Sequence, residues 1–279
     1  MNKAKPRKIV VVGAGWLGQQ LVRYFAARGD HVAYSTRQQK PTLLPPSSIE
    51  LGSVLTNPVE YREPQWFALE LPCAWSPSLL PYFHDAIVIC AIPVNYASDD
   101  GQTYLLSLAA LAEFATVAKA HAMIHCSSTG VYQGLNGEVD EQQNAGPSAK
   151  AQLLWQGEQQ LARFQPCVTL RLAGLFGPLR HPAKFLAGRV CQDGGNAVNL
   201  VHSDDIIAFV EQLLRLPELP NTRFNLCSPS HPSKQVFYRQ AIHAAGLPAA
   251  TFIDATTQHH VVSSQKSLEV TGFYYRHNI

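Results

Sequence analysis

Short apolar runs alternate along most of the chain with longer segments in which apolar residues recur every three or four positions. The first run, Ile9 to Val12, is fully apolar and has the length of a buried strand. Leu17 to Ala26 follows with helical spacing, and Gly29 ends that helix. Because such alternation is typical of a parallel sheet with helices on both faces, we predict an α/β fold with a doubly wound parallel sheet.

The same reasoning predicts the later elements. Strands are expected at 31–35, 49–55, 67–71, 86–92, 123–127 and 168–172, and helices at 104–121 and 148–164. A loop is expected at 128–146, and Ser203 with Asp204 is expected to open a further helix. The pattern is less regular after residue 172. We therefore predict a dinucleotide-binding domain at 1–172, with a return segment near 198–227, and a smaller, interleaved substrate lobe at 173–279.

A glycine motif joins the first strand to the first helix. Gly13-Ala14-Gly15-Trp16-Leu17-Gly18 fits G-x-G-x-x-G, and its place after a strand and before an amphipathic helix is the context that this pattern requires. Gly13 permits the tight turn, Gly15 lets the backbone approach a pyrophosphate, and Gly18 allows the helix to pack closely on the strand. The sequence therefore predicts a Rossmann domain that holds dinucleotide phosphates at Gly13, Gly15, Trp16, Leu17 and Gly18.

The end of the second strand indicates which dinucleotide is bound. NAD-binding domains usually carry an acidic residue there, whereas this strand ends in Ser35-Thr36-Arg37 without a carboxylate. A guanidinium pairs with phosphate in a fork, so Thr36 and Arg37 favour the 2′-phosphate of NADP(H) over NAD(H). A solvated loop arginine is the alternative.

Another loop is expected beside the cofactor. Ala91, Ile92 and Pro93 follow a buried strand at its carboxyl end, where an open parallel sheet has its ligand crevice. A simple strand terminator explains Pro93 equally well.

Composition excludes several other classes of protein. Apolar residues make up 46% of the chain, charged residues 15%, and the net charge is only +2, which gives no basic surface for nucleic acid or a membrane. No apolar run approaches the roughly 18–20 residues that span a bilayer, and the first eight residues do not resemble a signal peptide. The six cysteines are widely spaced, which favours free thiols and a cytoplasmic location. We expect a small-molecule substrate as the partner, and a homodimer is compatible with this composition.

Four further blocks carry a family resemblance. They are Ser127-Ser128-Thr129-Gly130-Val131-Tyr132, Leu170 to Pro178, Asn199 to Ile206 and Phe224 to Leu226. With the glycine loop, their order and spacing resemble an extended short-chain dehydrogenase/reductase of the NAD-dependent epimerase/dehydratase group. The segment His181 to Arg189 resembles the narrower, atypical YeeF-type members.

The resemblance implies a catalytic arrangement that is incomplete here. Ser128 takes the place of the residue that binds the reacting oxygen in the family. The family's Tyr-x-x-x-Lys pair falls on Lys150 and Leu154, so both members are missing. Lys150 or Tyr132 could act as the acid/base instead, the substrate could need no protein proton donor, or the protein could bind the nucleotide without turnover.

The remaining polar residues complete the prediction. His181, Lys184 and Arg189 suit an anionic substrate, with solvated surface charge as the alternative. The adjacent pair His259-His260 lacks the spacing of metal ligands, so we predict no metal.

Taken together, these features predict an NAD(P)-dependent oxidoreductase or epimerase/dehydratase-like enzyme that acts on a small, anionic metabolite. A non-catalytic NADP(H)-binding sensor or scaffold is the alternative.

Overall fold

A computed structural model describes residues 5–43, 61–94, 101–257, 259–277 and 279. The strands in these ranges are β1 Lys8–Val12, β2 His31–Thr36, β3 Gln65–Ala68, β4 Ile87–Cys90, β5 Ala122–Ser128, β6 Gly137–Val139, β7 Cys167–Leu172, β8 Gly174–Phe176, β9 Val190–Cys191, β10 Leu200–His202, β11 Arg223–Leu226, β12 Thr251–Phe252 and β13 His260–Val262. The helices are α1 Trp16–Ala27, α2 Leu80–Phe83, α3 Gln102–Val117, α4 Ala149–Leu161, α5 Ala183–Leu186, α6 Ser203–Leu213, α7 Lys234–Ala244 and α8 Gln265–Thr271. Short 3-10 turns occupy Pro77–Leu79 and Thr129–Tyr132.

The largest sheet confirms the predicted fold class. Its seven strands lie in the order β11-β7-β5-β4-β1-β2-β3, and strands β1 to β5 pair in parallel. From β1 the chain builds outward to β2 and β3, and it then returns to place β4 on the other side of β1. The order therefore reverses between β1 and β4, which is where a doubly wound α/β sheet binds its ligand.

The chain divides into two compact units. The first unit comprises Met1–Cys126, Gln156–Thr169 and Glu218–Thr222, and the second comprises Ser127–Trp155, Leu170–Pro217 and Arg223–Ile279. The sequence predicts a domain boundary at residue 172, where the regular alternation of strands and helices ends. The two compact units are interleaved along the chain and do not test that boundary, which stays a prediction.

In the first unit, β1 and α1 form the centre of the core. Ile9 to Val12 is almost completely buried, as expected for a strand of a parallel sheet whose two faces are both covered, and Leu21 and Phe25 of α1 are fully buried. Arg7 and Asp30, which flank these elements, form an ion pair at 2.8 Å. The apolar run and the helical spacing thus correspond to the strand and helix that they predicted.

The second unit has an apolar cluster of its own. It consists of Ala183, Val198, Leu200, Tyr238 and Ile242, contributed by α5, β10, α7 and the segment before β10. Side chains such as Phe176 and Phe185 pack around it.

Some predicted elements differ from those observed. The helix predicted at 104–121 ends at Val117, because Lys119 adopts a positive φ of 54° that no helix continues through. The loop predicted at 128–146 is wrong in part: it contains the 3-10 turn Thr129–Tyr132 and strand β6, which pairs with the distant β13. The strand predicted at 49–55 lies outside the described residues.

Across the described ranges, no helix has the length and apolar character needed to cross a membrane. All six cysteines are free thiols, and four of them are buried.

Candidate functional site

Two of the three loop glycines are required by the fold itself. Gly13 has a φ of +92°, and a Cβ on it would lie 2.9 Å from the backbone carbonyl of Ala91. A Cβ on Gly18 would lie 2.6 Å from the carbonyl oxygen of Gly13. Real side chains do not tolerate such contacts with backbone atoms, so the close packing of this loop depends on both glycines.

Gly15 is different. Its φ of −77° suits any residue, it is exposed, and a Cβ on it would meet nothing within 4 Å. Packing and backbone geometry therefore do not explain a glycine here. Gly15 is also the N-cap of α1, and no side chain caps that helix. The open space thus lies at the positive end of a helix, where an anion is stabilised.

Backbone hydrogen bonds bring the ends of three strands together around this loop. The Ala91 N–H donates to the Val12 carbonyl at 2.8 Å, and the Ala14 N–H donates to the Ser35 carbonyl at 2.9 Å. The predicted cofactor residues Ala91 and Ile92 consequently lie beside Gly13, and Pro93 follows them in an exposed position.

Thr36 and Arg37 lie where β2 ends. The Thr36 hydroxyl accepts a hydrogen bond from Trp66 Nε1 at 2.9 Å and donates to the Gln39 carbonyl, so it holds the loop in place. Arg37 is exposed, and none of the ion pairs among the described residues involves it. Its guanidinium is therefore accessible to an anion from solution.

In the second unit, Ser128 and Lys150 converge on Gly130. Ser128 ends β5, and its Oγ accepts the Gly130 N–H at 3.0 Å, which opens the 3-10 turn. A Cβ on Gly130 would lie 3.1 Å from Lys150 Cε, 3.3 Å from Ser128 Oγ and 3.0 Å from Leu154 Cδ1. Lys150 and Leu154, the two helix positions on which the family resemblance places the Tyr–Lys pair, thus both face the turn that Ser128 begins.

Burial separates these two positions of α4. Lys150 is exposed, whereas Leu154 is only 2% exposed. A cation at position 154 would need a partner in an apolar environment, so leucine there is consistent with a core position.

Tyr132 is enclosed among hydrogen-bond partners. It is fully buried, its hydroxyl accepts from Arg171 Nη1 at 2.7 Å, and it lies within 2.8 Å of Asn225 Oδ1 and the Asp140 carbonyl. Burial raises the pKa of Tyr132 to about 12, although the Arg171 charge opposes that rise. This environment favours a structural role, in which Tyr132 fixes the end of the 3-10 turn.

The predicted substrate residues share one exposed stretch. Lys184 lies on α5, His181 precedes that helix, and Arg189 follows it. All three are exposed, and His181 Nδ1 accepts the Ala183 N–H at 3.3 Å. Their role in binding a substrate stays a prediction.

The tertiary structure also brings together a cluster that the sequence pattern did not reveal. Among the described residues, His202, Asp204 and His277 have the spacing of three metal ligands. The two imidazole rings are stacked, however, with centroids 3.8 Å apart and planes 17° from parallel. Because imidazole lone pairs lie in the ring plane, two stacked rings cannot both point at one ion, and we assign no metal to the cluster.

His125 of β5 was not identified from the sequence either. It is fully buried, neither ring nitrogen has a hydrogen-bond partner among the described residues, and burial lowers the pKa of His125 to about 4. The sequence does not reveal whether a polar residue inside an apolar strand has hydrogen-bond partners, because the fold decides which side chains surround it.

This environment leads to a prediction for acid stability. Since the folded protein protonates His125 less readily than the unfolded chain, stability is retained above pH 6.5 and falls as the pH approaches 4. The loss should reach about 3 kcal/mol. His125→Leu should remove this component, as measured by urea unfolding at several pH values. His121→Gln, at an exposed position, is the control, and an unchanged pH dependence in His125→Leu would contradict the prediction.

Comparisons with known proteins agree with this geometry. No family model matches the chain. Protein YeeZ of Escherichia coli strain K12 is 30% identical over 277 residues, covering 97% of this chain and 96% of YeeZ, and YeeZ of strain O157:H7 matches equally. The predicted YeeF-type subgroup is therefore not confirmed.

Solved structures with the same fold include several in complex with NAD. MoeE5 in complex with UDP-glucuronic acid and NAD has a TM-score of 0.77 at 18% identity, with 97% of this chain and 94% of MoeE5 covered. UDP-glucuronic acid 4-epimerase from Bacillus cereus in complex with NAD has a TM-score of 0.74 at 20% identity, with 97% and 94% covered. WbmG of Bordetella bronchiseptica in complex with NAD and UDP has a TM-score of 0.74 at 18% identity, with 99% and 91% covered. At such identities the likeness shows the fold.

Proposed function

The chain belongs to the family of protein YeeZ from Escherichia coli, and from its fold and glycine loop we propose that it is an NAD(P)-dependent oxidoreductase or epimerase/dehydratase-like enzyme. The observation that carries the proposal is Gly15, which neither packing nor backbone conformation explains. A dinucleotide pyrophosphate lying against Gly15 would explain both the missing side chain and the absence of a side-chain cap on α1.

The cofactor is a nicotinamide dinucleotide. MoeE5, WbmG and the Bacillus cereus epimerase were all solved with NAD, which supports this class of ligand. When it is bound, the cofactor supplies a nicotinamide that accepts or donates hydride. The glycine loop would hold its phosphates, and Ala91, Ile92 and Pro93 would line the same edge of the sheet.

NADP(H) is the preferred form in this proposal. β2 ends without a carboxylate, and the exposed Arg37 is available for a 2′-phosphate. Thr36 would help by fixing the loop through its bond with Trp66.

Arg37→Asp tests this preference. The change removes the guanidinium and adds a repulsive charge, so NADPH affinity should fall about ten- to a hundredfold while NADH affinity is retained or rises. Calorimetric titration with both nucleotides measures the ratio. The exposed neighbour Gln38 offers a matched control, since Gln38→Asp adds the same charge but leaves Arg37 in place. Tighter binding of NADH than of NADPH by the wild-type protein would refute the proposed preference.

Ser128 and Lys150 would serve the reacting part of the substrate. The Ser128 hydroxyl would hydrogen-bond a reacting oxygen, and the exposed Lys150 approaches the same residue, Gly130, from α4. His181, Lys184 and Arg189 would attract the charge of a small, anionic metabolite.

A non-catalytic NADP(H)-binding sensor is the second candidate. One observation favours it: the position of the family's lysine is Leu154, which is buried, so no cation stands there to lower the pKa of a neighbouring acid.

A turnover experiment separates the two functions. The protein is loaded in parallel with NADP+ and with NADPH, and absorbance at the reduced-nicotinamide band is followed while small anionic metabolites, including UDP-sugars, are added. Epimerases regenerate their cofactor, so products are also analysed by mass spectrometry. Consumption of the cofactor or of a metabolite supports the enzyme, whereas stoichiometric binding with neither change supports the sensor.

A further inference from the structure

A histidine caps helix α6. His202 ends β10, and its Nδ1 accepts the backbone N–H of Asp204 at 3.1 Å. An imidazole nitrogen can accept a hydrogen bond only while it carries no proton, so the cap requires the neutral ring with its proton on Nε2. Helix α6 begins at Ser203, as the sequence predicted, and His202 is its N-cap.

The segment 276–277 is held on the same turn of helix. The backbone N–H groups of Arg276 and His277 donate to the Asp205 carboxylate at 2.9 and 3.1 Å, and Asp205 is 1% exposed. The His277 ring covers His202 in the parallel stack described above. The ring that caps α6, His202, is therefore stacked on the ring of His277, which belongs to the attached segment.

The charges around these rings are few. Asp204 Oδ2 lies 3.5 Å from His202 Nδ1 and 3.7 Å from His277 Nε2, and Asp205 Oδ2 lies 3.2 Å from His277 Nδ1. From β8, Phe176 contacts the His202 ring by its edge, with centroids 4.9 Å apart, and carries no charge.

Burial lowers the pKa of His202, and the neighbouring His277 lowers it further, whereas Asp204 and Asp205 oppose the change. The neutral ring is therefore the form that the folded site favours.

We propose that His202 is a proton-operated latch, whose protonation releases segment 276–277 from the first turn of α6. A proton on Nδ1 removes the cap and directs that nitrogen to the Asp204 carboxylate. It also places a cation against the stacked His277 ring.

The latch goes beyond the proposed function and does not depend on it. Its effect would extend to β8. Gly177 directly follows that strand and packs closely on Ser203, since a Cβ on Gly177 would lie 2.5 Å from Ser203 Oγ. The chain then continues from Gly177 into the basic stretch that contains His181, Lys184 and Arg189.

Hydrogen exchange of the intact protein tests the latch. Because protonation is disfavoured in the closed state, protection of the Arg276 and His277 amides should be constant above about pH 6.5. Below that pH, protection should fall by up to about tenfold per pH unit, after correction for intrinsic exchange rates. His202→Asn retains a good cap acceptor without a titrating ring, so protection in that variant should not depend on pH. His277→Phe keeps an aromatic stack and should retain part of the dependence.

Constant protection in the wild-type protein, or the same pH dependence in His202→Asn, would overturn the proposal. A second measurement needs no variant. Nitrogen NMR of the wild-type imidazoles should show the Nε2–H tautomer of His202 at pH 7.5, and a predominant Nδ1–H tautomer would equally exclude the latch.

Discussion

Gly15→Val is expected to abolish dinucleotide binding while the protein remains folded. A Cβ on Gly15 would meet nothing within 4 Å, and its φ of −77° is accessible to valine, so we expect the change to be accommodated within the chain. Valine is a poorer N-cap than glycine, at a cost on the order of 1 kcal/mol of stability. The branched side chain would, however, occupy the space proposed for the pyrophosphate. Loss of two or more charge-assisted hydrogen bonds corresponds to a loss of affinity of roughly a hundredfold or more.

Gly18 provides the control for this experiment. A Cβ on Gly18 would lie 2.6 Å from the Gly13 carbonyl oxygen, so Gly18→Ala should lower the unfolding temperature as well as affinity. Calorimetric titration with NADPH gives the affinity, and thermal unfolding gives the stability of each variant. Micromolar binding by a folded Gly15→Val protein would rule out this loop as the nucleotide site.

Ser128→Ala and Lys150→Met are expected to lower turnover by about 10²–10⁴-fold if the protein is an enzyme that transfers a proton. A hydroxyl or ammonium directed at developing oxyanion charge acts mainly in the transition state, so nucleotide affinity should be spared. The rate is measured with the metabolite identified by the turnover screen. Tyr132→Phe tests the alternative acid/base and should act through stability, because the Tyr132 hydroxyl is bound inside the second unit. Normal turnover in both Ser128→Ala and Lys150→Met would eliminate the proton-transfer role.

Restoring the family's pair should not recover activity. In the double variant Lys150→Tyr with Leu154→Lys, the new lysine would replace a side chain that is 2% exposed and packed under Gly130. An unpaired cation at such a position costs several kcal/mol, so we expect an unfolding temperature well below that of the wild-type protein. A double variant as stable as the wild-type protein would contradict this expectation, because the lysine at position 154 would then have to lie outside the apolar core.

The central sheet and the glycine loop could be predicted from the sequence because their signals are local. Ile9 to Val12 is apolar because a strand of a parallel sheet has both faces covered, and the helical spacing of Leu17 to Ala26 follows from one buried side of α1. Gly13 and Gly18 are glycines for reasons of backbone geometry that any such loop shares.

Positions that depend on distant partners could not be predicted. β6 is a strand because β13 pairs with it more than a hundred residues later, and the loop expected there followed from the local pattern alone. Among the described residues, neither ring nitrogen of His125 has a hydrogen-bond partner, a property that the tertiary structure sets and the local sequence does not.

The sequence by itself determined the fold class and the glycine motif that joins β1 to α1, since each is written in consecutive or regularly spaced residues. Only the tertiary structure decided that Leu154 is buried beside Gly130 and that Tyr132 is engaged by Arg171. It also decided that His202 and His277 share a stack. These facts depend on which side chains meet after the chain has folded, and burial, charge and hydrogen bonding at one residue are set by neighbours that the sequence places far away.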